Sequence, residues 1–233
     1  MYKVIDNFLT KSYHEEIQER LTGNSFPWFY NANVSGHWPQ QHISHDVNNP
    51  TGTPLFKDYA FTHNICITAQ LLRDKEVSEE MFDEGGLADT AWATFLKPFL
   101  LQVMDTVGCD MILRCRADMT TWSPEEFIHP AHTDYPFPNA FSIYYLHDTD
   151  GDSILYGKDS FDHDIKIDQH QDGTLSQTIG SETTTLEIQE RISPKANRLL
   201  LFDGNLLHTG SSPTKHKTRI LFNSNFHKRR IAE

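Results

Sequence analysis

After Gly108 the hydrophobic period of the chain changes from about 3.6 residues to two, and this switch constrains the fold more than any other feature. The spacing predicts strands over Met111–Met119, Ala140–Leu146, Ser153–Tyr156, Thr183–Ile192, Arg198–Phe202 and Lys217–Phe226. Turn-rich segments such as Asp148-Thr149-Asp150-Gly151-Asp152 separate them. Many short strands in series suggest a sandwich or barrel. Before the switch the chain reads as mostly helical. Trp92, Phe95, Leu96, Phe99, Leu100, Val103, Met104 and Val107 form one apolar stripe on a helix from about Asp89 to Val107, with Pro98 expected to kink it. Ser12 and Glu15 form a capping-box pair opening a helix to about Leu21, and Tyr2–Ile5 is a short strand. A second helix is predicted around Leu55–Leu72. The polar, acidic stretch Gly157–Ser181 reads as a long loop or an inserted hairpin.

The chain has 233 residues, long for one small domain and short for two. We read one domain over 1–233, with residues 1–108 as mostly helical support and 109–226 as the strand core. Lys+Arg 20 against Asp+Glu 32 leaves a net charge of −12, which disfavours nucleic acid and anionic lipid as partners. Lys97 interrupts the best apolar run, so no stretch of about 18 apolar residues could span a bilayer. The start MYKVIDNFLTK lacks the apolar centre of a signal peptide. Cys66, Cys109 and Cys115 lack metal-type spacing and are expected to be buried free thiols, which points to a cytoplasmic location.

Histidine, at 13 residues, is the unusual count. His132-Thr133-Asp134 is an H-x-D, and on a strand residues i and i+2 point to the same side. His208 follows the apolar strand 199–202 in FDGNLLHTG and could supply a third ligand. Two imidazoles and a carboxylate on one face of an octahedral ion form the facial triad of non-haem Fe(II) oxygenases. Arg219 stands in the next strand, sharing a face with Leu221, Asn223 and Asn225. A planar guanidinium there can grip a carboxylate by two parallel hydrogen bonds, which suits a short dicarboxylate.

These stretches resemble the 2-oxoglutarate- and Fe(II)-dependent oxygenase superfamily, of the prolyl-4-hydroxylase-like kind. The resemblance rests on HTD at 132–134, IYYLH at 143–147, PKANRLLLFDGNLLHTGSSPTKHKTRILFNSNF at 194–226 and the opening VIDNFLT at 4–10. It implies a double-stranded β-helix, or jelly-roll barrel, with N-terminal helices packed on its outside. It implies His132, Asp134 and His208 as iron ligands, and Arg219 as the holder of the distal carboxylate of 2-oxoglutarate. Tyr145 and Trp122 match positions that often carry a cosubstrate-binding tyrosine. The implied activity is a dioxygenase, most simply a hydroxylase, acting on a peptide or small molecule, with ascorbate as an accessory reductant. Gly151-Asp152 departs from the Gly-Gly pair common in relatives, and Asp134 argues against the halogenating branch.

The rival reading is a cupin-like metal-binding barrel without 2-oxoglutarate chemistry; it has no need of Arg219. His132 and Asp134 alone could be a hydrogen-bonded pair on a sheet edge, and Asn223 and Asn225 could serve the backbone. His129 reads as a loop residue beside the ligands. His37, His42, His45 and Asp46 fit no standard metal motif and read as a solvated loop.

Overall fold

Alternating burial along the strands places one apolar core on each side of a large sheet. The computed structural model describes residues 2–31, 58–67, 90–109, 111–135, 137–159, 165–170, 172–179 and 182–227. The order begins with β1 (Tyr2–Ile5), α1 (Lys11–Thr22), β2 (Phe29–Asn31), β3 (Ala60–Ile67) and α2 (Thr90–Val107). It continues with β4 (Met111–Thr121), β5 (Asn139–Tyr145), β6 (Ser153–Asp159), β7 (Ile165–Gln169) and β8 (Leu175–Ile179). It closes with β9 (Glu182–Leu186), β10 (Ile188–Ile192), β11 (Arg198–Asp203), β12 (Leu206–Gly210) and β13 (Thr218–His227). The described chain is mostly β, with antiparallel sheets and two helices. A seven-stranded sheet runs β1-β11-β5-β13-β4-β3-β2, and two three-stranded sheets run β10-β6-β12 and β7-β8-β9.

Neighbouring residues of the central strands divide between the two cores because side chains alternate across a strand. Tyr144, Leu199 and Phe222 join Ile17 and Leu21 of α1 and Leu96, Phe99, Leu100 and Val103 of α2. Their neighbours Tyr145, Leu200 and Leu221 face the other way and meet Leu155, Ile192 and Leu206 of the β10-β6-β12 sheet. β5 is therefore buried along its whole length. The helices cover one face of the large sheet, and the small sheet covers the other.

Most predicted strands are present, with several corrections. The helix expected over Leu55–Leu72 is not formed in its described part, where Ala60–Ile67 is strand β3, paired with β2 and β4. Pairing on both sides satisfies its backbone, and sheet context overrides local preference. The predicted capping box does not form: the N-cap is Thr10, two residues before Ser12, and no side chain caps it. The predicted strand Thr183–Ile192 is two strands broken at Glu187, in different sheets. Gly157–Ser181 contains β7 and β8, paired antiparallel, so the hairpin alternative holds. His208 lies within a strand of its own, β12, rather than in the segment after β11. Of the three thiols Cys115 alone is buried; Cys66 and Cys109 are half-buried, and none is in a disulfide. No helix among the described residues is long and apolar enough to cross a membrane.

What fixes the entry to α1 is Asn197. Its side chain accepts from Leu9 N–H (2.8 Å) and donates to Leu9 C=O (2.8 Å), while its backbone C=O accepts from Phe8 N–H (3.0 Å). The Tyr144 hydroxyl donates to the same side-chain oxygen (3.1 Å), and Asn197 itself adopts φ 60°. Asn197→Gly is expected to lose the clasp without strain, costing about 1–3 kcal/mol for the buried groups left unpaired. Asn197→Ala adds a left-handed penalty of about 1–2 kcal/mol. Urea denaturation should rank wild type above the Gly variant and the Gly variant above the Ala variant.

Candidate metal centre

His132 and His208 are brought together by the backbone. They form an isolated antiparallel bridge in which His132 N–H donates to His208 C=O (2.9 Å) and His208 N–H to His132 C=O (3.0 Å). Residues opposed in this way carry side chains on the same side, and the two imidazole centroids lie 5.0 Å apart. Asp134, two residues on, completes a group whose ligand atoms all lie within 4.8 Å of one another. Among the described residues no other set of three such side chains has this arrangement.

The surroundings prepare each ligand. His132 Nδ1 lies 3.0 Å from Pro130 C=O, and His208 Nδ1 lies 2.8 Å from Leu206 C=O. A carbonyl accepts only, so both Nδ1 atoms carry a proton, and the Nε2 atoms are the ones turned to a ligand. His208 Nε2 is buried and has no hydrogen-bond partner. Burial, aided by His132, pulls the His208 pKa down to about 4, so the ring is neutral and ready to ligate. Burial alone would raise the Asp134 pKa, but Arg114, with His208 and His132, holds it well below the usual carboxylate range. Arg114 Nη2 pairs with Asp134 Oδ2 at 2.8 Å, and Asn225 Nδ2 donates to the same oxygen at 3.1 Å. Oδ1 is left facing the imidazoles, 3.9 Å from His132 Nε2. Two imidazole nitrogens and a carboxylate oxygen, the His208 nitrogen buried without a hydrogen-bond partner, fit an open divalent site.

The same cavity extends between the large sheet and β6 and β12 to Arg219. Arg219 is buried, its Nε has no partner, and burial lowers its pKa. Among the described residues no carboxylate lies within ion-pair distance of it. Its Nη2 donates to Ser153 Oγ (2.7 Å), which also accepts from the Tyr145 hydroxyl (2.7 Å). The proton of Ser153 remains available to the cavity. Gly151, at φ 90°, stands so close that a Cβ would come within 2.7 Å of Ser211 O and 3.1 Å of Arg219 Cδ.

Asn223 lines the cavity but donates to Asp118, itself held by Arg116 at 2.6 and 3.0 Å. Asn225 works behind Asp134. Trp122 is not brought to this cavity: it is half exposed, donates from Nε1 to Thr214 C=O (2.8 Å) and borders a separate cavity with Tyr59 and Phe127. His129 bonds Asp58 (2.9 Å) and Ser212 (3.2 Å). Arg114 and Ser153 were missed from sequence. The alternation Arg114, Arg116, Asp118 along β4 was a readable signal for a charged inner face. His37, His42, His45 and Asp46 lie outside the described residues.

No protein-family model matches the chain, and no curated protein matches it. Solved structures do. A prolyl hydroxylase from Trichoplax adhaerens, in complex with a hypoxia-inducible-factor oxygen degradation domain peptide fragment, is 14% identical. The match covers 97% of this chain and 82% of that one, with a TM-score of 0.51. HygX from Streptomyces hygroscopicus, with nickel and 2-oxoglutarate bound, is 11% identical over 98% of this chain and 83% of that one, with a TM-score of 0.50. The chain has the prolyl-hydroxylase-like fold over nearly its whole length.

Removing Asp134 strands a buried guanidinium, whereas removing His208 does not. Asp134→Ala is expected to cost the metal-free protein about 3 kcal/mol or more, and His208→Ala clearly less. Both should abolish Co(II) binding, measured by anaerobic titration, with denaturation midpoints separating the two effects.

Proposed function

We propose that the chain is an Fe(II)- and 2-oxoglutarate-dependent dioxygenase, hydroxylating a peptide or small-molecule substrate inside a double-stranded β-helix. The observation that carries this reading is the pairing of two unmet demands in one cavity. At one end His208 Nε2 and its neighbours lack an ion; at the other Arg219 lacks an anion. A buried guanidinium without a counter-charge is costly unless an anion joins it. A small dicarboxylate answers both ends, chelating the metal and pairing with Arg219. The two structures of like fold support it, one holding a peptide fragment and the other nickel with 2-oxoglutarate.

In this reading His132 Nε2, Asp134 and His208 Nε2 hold ferrous iron, which supplies the oxidising chemistry with its cosubstrate. Arg114 and Asn225 hold Asp134 in one orientation. Arg219 takes the distal carboxylate through its fork, and Ser153 donates its free proton to the same group. Tyr145 acts through Ser153, because its own proton already bonds there. Phe141, Ile143 and Leu221 line the cavity and keep it dry, which strengthens each charged contact. Asn223, fixed through Asp118 and Arg116, forms the polar wall towards the substrate. Trp122 falls outside this set. Ascorbate serves as accessory reductant, and cysteines outside any disulfide favour the cytoplasm as working compartment. A cupin-like barrel without the cosubstrate gives no reason to bury Arg219 in the metal cavity.

Anaerobic addition of Fe(II) and 2-oxoglutarate should produce a weak visible charge-transfer band, and aerobic turnover should release succinate in proportion to iron. Neither appearing would end the oxygenase reading in favour of the barrel. Arg219→Ala should raise the 2-oxoglutarate requirement by about tenfold or more, from about 1.5–3 kcal/mol of lost charge-assisted bonding, with the iron requirement little changed. Equal losses of both would show that Arg219 serves folding.

A further inference from the structure

The segment that carries His132 is held from outside the cavity by the inserted sheet β7-β8-β9. Gln169, the last residue of β7, is buried. Its Oε1 accepts from Ala131 N–H (2.8 Å), and its Nε2 donates to Ile128 C=O (3.3 Å) and His129 C=O (3.1 Å). One side chain thus meets three backbone groups in the four residues before His132. The pattern of one donor and two acceptors fixes the amide orientation. The same sheet presses on the segment with apolar contacts, as Leu175 of β8 is buried with Ile128, Ala131 and Leu207. At the β7–β8 turn, Gly173 has φ 86°, and a Cβ there would lie 2.5 Å from Ile128 Cδ1. Tyr156 of β6 donates to Gly173 C=O at 2.6 Å, which ties the turn to the sheet bearing His208. From the far side Thr209 Oγ1 donates to His129 C=O at 2.7 Å.

We infer that Gln169 is a positioning residue of the metal site, and that the β7-β8-β9 insertion is a buttress that sets where His132 stands. This rests on the metal-site reading above. The bridge to His208 fixes His132 at one backbone point. The residues before it meet the β12 end through an Ile128–Ser211 bridge, with His129 N–H donating to Gly210 C=O (3.0 Å) and Ser212 N–H to Phe127 C=O (2.9 Å), a pairing that leaves Ala131 N–H and Ile128 C=O to be met from elsewhere. Gln169 supplies the missing partners for Ala131 N–H and Ile128 C=O. Those groups would otherwise be buried without bonds and would pull the segment, and the imidazole with it, towards water.

The test is anaerobic titration of the full chain with Co(II) alone, following its visible d–d absorption, which reports ligand geometry without turnover. Wild type is expected to bind. Gln169→Leu keeps similar bulk but no hydrogen bonds, and should bind about ten- to a hundredfold more weakly with an altered d–d band. Gln169→Glu keeps the acceptor for Ala131 but sets an oxygen against two carbonyls; it should weaken binding likewise and serves if the Leu variant does not fold. Asn197→Gly, destabilised on the helical side of the large sheet, should keep the wild-type affinity and spectrum. Unchanged affinity and spectrum in a folded Gln169 variant would overturn the inference and leave the metal site standing. Failure of wild type to bind Co(II) would remove both.

Discussion

The site depends on two backbone hydrogen bonds between His132 and His208. They join the segment between β4 and β5 to β12, which belongs to the opposite sheet. Because opposed residues on an antiparallel pair project together, the bridge delivers both imidazoles to one point without help from the side chains themselves. It also crosses between sheets, so the ligand set forms only when the sheets have packed through Tyr145, Leu200 and Leu221 against Leu155 and Leu206.

Charge in the cavity is distributed unevenly, and the unevenness tells the ends apart. Asp134 is matched by Arg114, and Asp118 by Arg116, so each carboxylate is stable in a buried place without a ligand. Arg219 and the Nε2 atom of His208 are not matched in this way. Buried polar groups left unanswered are the usual mark of a place where something else binds. The distribution also explains why Asp134 can stay ionised despite burial.

Much of this was legible from the residues. The period change after Gly108, the H-x-D pair, the later His208 and the cation on the alternating face of β13 all rest on local spacing, which strands obey. Asn223 and Asn225 do share that face, but their partners, Asp118 and Asp134, come from other parts of the chain. Trp122 was placed by likeness to other chains rather than by its own spacing, and its indole turned instead to Thr214. The helix expected at Leu55–Leu72 failed because a place between β4 and β2, with backbone partners on both sides, rewards extension more than local composition rewards a helix. Gln169 gave no signal at all, since a lone glutamine in a polar stretch resembles any solvated residue.

The sequence by itself determined the strand-rich core, the helical support and the candidate metal-ligating trio, because side-chain period and residue chemistry are local properties. Only the tertiary structure decided which carboxylate oxygen faces the imidazoles, which guanidinium is left without a counter-ion, and which side chains hold the ligand segment in place. Those outcomes depend on contacts between residues far apart in the chain, such as Arg114 with Asp134 and Gln169 with Ala131. Packing sets such distances, and spacing along the chain does not encode them.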